Sequence, residues 1–216
     1  KINAGLWCNY THIKNEKWLI IFIHGLTSDS HEPILVDGSH FFNTHHYSTC
    51  TFNLYWNADD EKKLIDVSLS NHIEDINNIV QYFVDQWQQN ITLIWHSFGW
   101  LSILYSDLTY IKQIILRDAS IWWDELLGDV FQDSLWHYID RWDNYKWYIN
   151  QSMFNDFCVP PEQHIQQLKK ILIPVTIIAA EHGLQEPAKT YAHATWNEYF
   201  VIKWADHTFS DNTTKW

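Results

Sequence analysis

The segment "IWHSFGW" (94–100) places a serine directly after the apolar run 91–94. Strand, serine and glycine in this order resemble the G-x-S-x-G turn, in which a strained strand-to-helix connection exposes a serine hydroxyl for nucleophilic attack. Trp95 stands where that pattern has its first glycine, and Gly99 keeps the second. Ser97 as a simple helix N-cap is the alternative. The context favours Ser97 as a nucleophile.

Two further segments could complete acyl-transfer chemistry around Ser97. "VIKWADHTF" (201–209) supplies His207 after a predicted last strand, where a loop can return the imidazole to the serine. "FIHGLTSD" (22–29) follows an earlier strand, and a His-Gly pair there can aim a main-chain N–H at a developing oxyanion. Leu26 would supply one such N–H and Phe98 the other. His24 could equally be an ordinary buried histidine.

The elements that must position these residues alternate along the chain. Apolar, β-branched runs predict parallel strands buried on both faces, and "NHIEDINNIVQYFVDQW" (71–87) has helical spacing with a capping box at Asn71 and Glu74. Further helices are expected to begin at or just after Ser97 and near Pro161. An α/β fold with a mostly parallel sheet follows, with its ligand site at the carboxyl ends of the strands. The predicted strands are 18–23, 47–55, 91–95, 111–116, 175–180 and 199–203.

Length and composition limit the possible architectures and partners. The 216 residues predict a single domain over 1–216, with an aromatic insertion at about 119–161 forming a small cap. A net charge of −12 without a basic cluster argues against nucleic acid. No apolar stretch is long enough to span a membrane. Three widely spaced cysteines favour a reducing cytoplasm, with one disulfide and one free thiol as the alternative. The histidines at 40, 45 and 46 lack the accompanying ligands of a metal site.

These segments together resemble the α/β-hydrolase superfamily, in particular small serine esterases and S33-peptidase-like enzymes. Family segments read roughly "HGFTGS", "DVTLSNQVEDL", "GHSFGG" and "GADHTF", where this chain has "HGLTSD", "DVSLSNHIEDI", "WHSFGW" and "WADHTF". The resemblance covers about residues 18–118 and 170–210. It implies hydrolysis of an ester or related acyl substrate through an acyl-serine, without a cofactor. The cap's aromatic residues between Ile121 and Tyr148 would then shape an apolar acyl pocket.

The acid of the implied triad is where this chain departs from the family. Alignment with the family's "IIHGDKDEVVP" puts Gly183 at the usual aspartate, and a glycine cannot orient an imidazole. Glu181, in the same loop, is the first choice; Glu186 and Asp118 are the other candidates. An inactive binding protein with a hydrolase fold is therefore one alternative function, and a peptidase or thioesterase on the same triad is another. The oligomeric state does not follow from the sequence.

Tryptophan also replaces glycine at three family positions, Trp95, Trp100 and Trp204. An average of about 7% glycine would give about 15 in a chain of this length. This chain has 6 glycines beside 14 tryptophans. One repeated replacement suggests one cause, and our hypothesis is a UGA codon that means glycine in the source and is written here as tryptophan. An aromatic-rich core is the alternative.

Overall fold

The structure, a computed structural model, describes residues 6–55, 62–119, 130–132, 136–140 and 146–209. Its strands and helices alternate over most of the chain, as predicted. The strands are β1 (Cys8–Thr11), β2 (Leu19–Ile23), β3 (Ser48–Phe52), β4 (Ile91–His96), β5 (Ile111–Arg117), β6 (Val130–Gln132), β7 (His137–Asp140), β8 (Lys146–Ile149), β9 (Val175–His182) and β10 (Glu198–Asp206). The helices are α1 (Pro33–Thr44), α2 (Leu69–Asp85), α3 (Trp100–Leu104), α4 (Gln151–Phe157), α5 (Pro161–Leu168) and α6 (Gln185–Thr195), with short 3-10 turns at Leu64–Asp66 and Ser97–Gly99.

Seven strands form the main sheet, in the order β1-β3-β2-β4-β5-β9-β10. Six of them are the six predicted strands, and all neighbouring pairs among these six run parallel. The prediction of a mostly parallel α/β sheet is therefore confirmed. Strand β1 was not predicted. It adds to β3 in the antiparallel direction at the sheet edge, where three of its four residues are exposed and give no apolar pattern.

The centre of the sheet brings the functional segments together. Every residue of β2 and of β4 is buried, which explains why both read as continuous apolar runs. The two strands are parallel neighbours, and Ile23 pairs with Trp95 near their carboxyl ends. The loop that begins at His24 and the turn that begins at Ser97 therefore leave the sheet side by side.

Helix α2 begins two residues earlier than predicted and is capped differently. Ser68 is its N-cap, and the capping box joins Ser68 to Asn71 rather than Asn71 to Glu74. The helix buries Ile76, Ile79 and Phe83, which packs its apolar face against the sheet cluster. The helices predicted near Ser97 and Pro161 are present.

The predicted insertion at about 119–161 contains a second, small sheet. Its strands β6, β7 and β8 are antiparallel in sequence order, and α4 follows them. Residues 120–129, 133–135 and 141–145, with part of the predicted aromatic pocket, lie outside the described residues. A single domain over 1–216 with a cap remains a prediction. No helix among the described residues is long and apolar enough to cross a membrane.

Candidate active site

Ser97 occupies a strained turn between β4 and α3. Its φ of 58° lies in the left-handed region that favours glycine, although Ser97 carries a side chain. Such a conformation costs of order 1–3 kcal/mol and persists only when the surrounding structure enforces it. A strained serine between a buried strand and a helix is the arrangement that the G-x-S-x-G turn predicts. The structure therefore supports the turn despite Trp95.

A hydrogen-bonded chain runs from Ser97 through His207 to Asp118. The Ser97 Oγ lies 2.8 Å from His207 Nε2, and His207 Nδ1 lies 2.5 Å from Asp118 Oδ2. Since an ionised carboxylate only accepts, Nδ1 carries the proton and donates a hydrogen bond to Asp118. In the neutral ring, Nε2 is then free to accept from the serine hydroxyl. Ser97 and His207, which are 110 residues apart in the chain, thus meet as the sequence predicts.

The carboxylate at His207 is Asp118, so the first choice of Glu181 is wrong on geometry. Glu181 lies within β9, and its Oε2 accepts a hydrogen bond from the main-chain N–H of Trp204 at 2.8 Å. Glu186 sits on the surface near Lys189, at an N–O distance of 4.0 Å with 78% of its side chain exposed. Asp118 follows β5, whereas the expected acid belongs to the end of β9. The two strands are parallel neighbours in the main sheet, so residues at their carboxyl ends lie at the same edge.

Asp118 is fully buried and held by main-chain donors. The N–H groups of Ala180 and Leu184 reach its carboxylate at 2.9 and 3.0 Å. These main-chain hydrogen bonds fix the position and orientation of the carboxylate. The φ of Asp118 is 45°, a second strained residue in the site.

Gly183, at the family's usual aspartate position, leaves space for the Asp118 carboxylate. A methyl group added at Gly183 would lie 2.2 Å from Asp118 Oδ2 and 2.9 Å from the Ala180 Cβ. Contacts below about 3.0 Å are not tolerated, so any side chain at 183 would displace the Asp118 carboxylate. The glycine and Asp118 are therefore complementary, since the carboxylate reaches the same space from the neighbouring strand.

The predicted oxyanion loop lies directly against the serine. A methyl group added at Gly25 would be 3.1 Å from the Ser97 Cβ, so a side chain there would require Ser97 or the loop to move by a few tenths of an ångström. Leu26, the next residue, is buried. The main-chain N–H groups of Leu26 and Phe98 thus belong to the two segments that converge on Ser97, and their role as oxyanion donors remains a proposal.

His24 is an ordered part of that loop. The Leu54 N–H donates to His24 Nε2 at 3.0 Å, so Nδ1 must carry the proton and donate to the Gly25 carbonyl at 2.8 Å. Burial lowers the pKa of His24, against the opposing effect of its bond to Gly25. A neutral imidazole satisfies both contacts, which agrees with the lowered pKa.

Sequence reasoning missed Glu32 and His96, a carboxylate and a buried imidazole that lie next to each other beside His207. His96 Nε2 lies 2.8 Å from the His207 carbonyl oxygen, and His96 Nδ1 faces Glu32 Oε1 at 3.4 Å. Ser28 donates to the other Glu32 oxygen at 2.8 Å. Burial alone would raise the pKa of Glu32, but His96, Ser28 and Arg117 together lower it to about 2. The signal available in the sequence was the place of His96, directly before Ser97.

The three tryptophans at family glycine positions differ in backbone conformation. Trp204 has a φ of 65° and is 74% exposed, which is a glycine-like backbone at the surface. Trp95 and Trp100 are buried in the main core. The Trp95 ring lies against Gly99 so closely that a methyl group there would be 1.4 Å from it. The indole N–H of Trp95 finds no hydrogen-bond partner among the described residues.

Comparison with solved structures identifies the architecture as the α/β-hydrolase fold. Est1E from Butyrivibrio proteoclasticus superposes with a TM-score of 0.75 at 19% identity, over 97% of this chain and 90% of Est1E. A structure described as ferulic acid bound to Est1E gives a TM-score of 0.76 at 21% identity, over 95% and 88% of the two chains. The resemblance seen in the sequence is thus confirmed at the level of the fold.

More distant neighbours share the same architecture. A monoacylglycerol lipase from Paleococcus ferrophilus has a TM-score of 0.67 at 13% identity, over 94% of this chain and 90% of the lipase. The thioesterase domain from the curacin biosynthetic pathway has a TM-score of 0.64 at 11% identity, over 97% and 96% of the two chains. No family model and no curated protein matches the sequence.

Proposed function

We propose that the protein is a serine hydrolase that cleaves a carboxylic ester or a related acyl substrate through an acyl-serine intermediate. The observation that carries the proposal is the continuous chain from the Ser97 hydroxyl through His207 to the buried Asp118, at 2.8 and 2.5 Å. A nucleophile, a base and a residue that orients the base are the three parts of such a site. Fold neighbours that are esterases and lipases are consistent with it.

In the first half of the reaction, Ser97 Oγ attacks the acyl carbon while His207 Nε2 takes the hydroxyl proton. The carbonyl oxygen becomes an oxyanion, which the N–H groups of Leu26 and Phe98 stabilise. His207 then delivers the proton to the leaving alcohol as the bond from carbon to oxygen breaks. Asp118 keeps the imidazole in the tautomer with Nδ1 protonated and stabilises the transient imidazolium.

In the second half, a water molecule replaces the alcohol. His207 takes a proton from the water as the water oxygen adds to the acyl-serine carbon, and a second oxyanion forms at the same N–H groups. The bond to Ser97 Oγ breaks, His207 returns the proton to the serine, and the carboxylic acid leaves. No metal ion or organic cofactor takes part in this scheme.

The inactive-protein alternative loses its main support once Asp118 is considered. It rested on Gly183 and on the altered turn around the serine. Asp118 supplies the carboxylate that Gly183 lacks, and Ser97 keeps the strained φ of 58°. Gly183 and the altered turn therefore remove neither the carboxylate nor the serine conformation that the proposed chemistry needs.

Replacement of Ser97 by alanine tests the proposal. p-Nitrophenyl acetate, p-nitrophenyl butyrate and methyl ferulate form a suitable substrate panel. The last is included because Est1E has been solved with ferulic acid. We expect hydrolysis by the native protein, and a loss on the order of 10⁶-fold in kcat for Ser97→Ala. A fluorophosphonate should label the native protein and not the variant.

Ser106→Ala is the matched control, because this part-buried hydroxyl donates to a helix carbonyl outside the site. It should keep both esterase activity and labelling. Hydrolysis that survives in Ser97→Ala would place the chemistry elsewhere. Absence of both hydrolysis and labelling in the folded native protein would favour a binding role.

A further inference from the structure

The hydroxyl of Tyr55 forms a bridge inside the loop that follows β2. It donates to the Gly25 carbonyl at 3.0 Å and accepts from the Thr27 N–H at 2.7 Å. A phenol has one proton to donate and lone pairs that accept, so both bonds form at the same time. Tyr55 is 2% exposed, so water does not compete for these bonds. The Tyr55 hydroxyl therefore links Gly25 and Thr27, the residues on either side of Leu26.

The Gly25 carbonyl and the Leu26 N–H belong to the same peptide unit. A trans peptide is planar, with its C=O and N–H pointing in opposite directions. Any contact that holds the carbonyl in place consequently also sets the direction of the N–H. The carbonyl accepts two hydrogen bonds, one from Tyr55 and one from His24 Nδ1 at 2.8 Å.

The groups that hold this peptide are themselves held rigidly. The Tyr55 ring makes an edge contact with His24 at 5.0 Å between centroids and stacks on His72 at 5.7 Å. Both histidines are buried. Thr27 has a φ of 61°, a strained value that needs support from its surroundings, and the Tyr55 hydroxyl provides a bond to its N–H.

We propose that Tyr55 is a positioning residue for the oxyanion site, because its hydroxyl holds and polarises the Gly25–Leu26 peptide. The proposal rests on the function proposed above. Hydrogen bonds in series strengthen one another, so a donor on the Gly25 oxygen makes the Leu26 N–H a better donor to the oxyanion. The loop is close enough to act, because Gly25 lies directly against Ser97.

Tyr55→Phe tests this by removing one oxygen while it keeps the ring contacts. Loss of a complete oxyanion donor typically lowers kcat about 100- to 1000-fold, and here the N–H stays but loses support, so we expect a loss of about 10-fold. KM should change less than about twofold, since the effect arises in the transition state. Inhibition by an alkyl trifluoromethyl ketone, which forms a tetrahedral oxyanion on the serine, should weaken by the same factor as kcat/KM.

Tyr105→Phe is the control, because this hydroxyl also has a buried partner, His164 Nδ1 at 3.2 Å, but lies outside the site. It should change neither kcat nor inhibition. If Tyr55→Phe lowers the folded fraction, the amplitude of fluorophosphonate labelling counts the competent sites, and kcat is expressed per labelled serine.

Two results would overturn the inference while leaving the proposed function intact. One is a kcat per labelled serine within twofold of the native value. The other is a lower kcat with unchanged inhibition by the trifluoromethyl ketone, which would mean that the oxyanion site is not involved. Failure of the proposed function is distinguishable, because it would appear as activity that persists in Ser97→Ala.

Discussion

The smallest change that should disable this site is Gly183→Ala. The added methyl carbon would lie 2.2 Å from Asp118 Oδ2 and 2.8 Å from its carboxyl carbon. Asp118 is fully buried and bonded to Ala180 and Leu184, so it cannot turn away into solvent. The carboxylate must instead move away from the new methyl group, and this movement weakens its bond to His207.

The size of the effect follows from these distances. To restore even a 3.0 Å contact, the Oδ2 atom has to retreat by about 0.8 Å. Displacements of about 1 Å in catalytic groups can lower rates about 100-fold, and loss of a correctly oriented acid lowers kcat on the order of 10⁴-fold. We expect Gly183→Ala to fall between these limits. Overpacking should also lower the free energy of unfolding by about 1–3 kcal/mol.

The assay is kcat for p-nitrophenyl butyrate, measured beside a thermal melt. Asp118→Asn sets the lower limit of activity. Glu181→Gln is the matched control, because an amide oxygen can still accept from the Trp204 N–H and the residue does not reach His207. It should keep native activity. A folded Gly183→Ala protein with native kcat would refute the assignment of Asp118, and so would a loss of activity in Glu181→Gln as large as that in Asp118→Asn.

An exchange of the two residues provides a second check. Asp118→Gly suits the backbone because the φ of 45° favours glycine, and it removes the carboxylate that excludes a side chain at 183. Combined with Gly183→Asp, it should recover at least about 10-fold in kcat over Asp118→Gly alone. Recovery is expected to be partial, because the new Cβ still meets the Ala180 Cβ at 2.9 Å.

Three further predictions concern stability. Trp87 follows the last turn of α2 with a φ of 70°, and 87% of it is exposed. Because this backbone conformation favours glycine, Trp87→Gly should be more stable than Trp87→Ala by about 1 kcal/mol. The opposite order in urea unfolding would contradict a glycine-like site. The codon hypothesis predicts a higher Tm for the double variant Trp95→Gly with Trp100→Gly, because it relieves overpacking that typically costs about 1–3 kcal/mol. If both tryptophans are native core residues, their replacement leaves cavities and lowers the Tm. Glu32, whose pKa is lowered from 4.5 to about 2, stabilises the fold above pH 4.5 and loses this contribution as the pH falls toward 2. Between pH 4.5 and pH 2 the free energy of unfolding, measured by urea titration, should therefore fall by about 1–3 kcal/mol more for the native protein than for Glu32→Gln. The same pH dependence in both proteins would show that Glu32 does not contribute.

Local patterns were sufficient for the elements on which burial leaves a clear mark. The strands β2 and β4 read as apolar runs because every one of their residues is buried, and α2 shows helical spacing because it buries one face. The elements that were not predicted are the strands β1, β6, β7 and β8 and the helices α1, α4 and α6. Most of β1 faces solvent, and α1 buries only Ile34, Leu35 and Gly38 of its twelve residues, so neither carries a clear apolar period.

The sequence by itself was sufficient to predict Ser97 as the proposed nucleophile and His207 as its proposed base. Ser97 stands between a strand and a helix, and His207 follows the last strand, so their places depend only on local order along the chain. The identity of the acid was decided by the tertiary structure. Asp118 and Glu181 both come from the carboxyl ends of neighbouring strands, and which one reaches His207 depends on the direction of each side chain and on the space left by Gly183. Distances across strands of this kind are not encoded in any single segment, because they arise only when β5, β9 and β10 assemble.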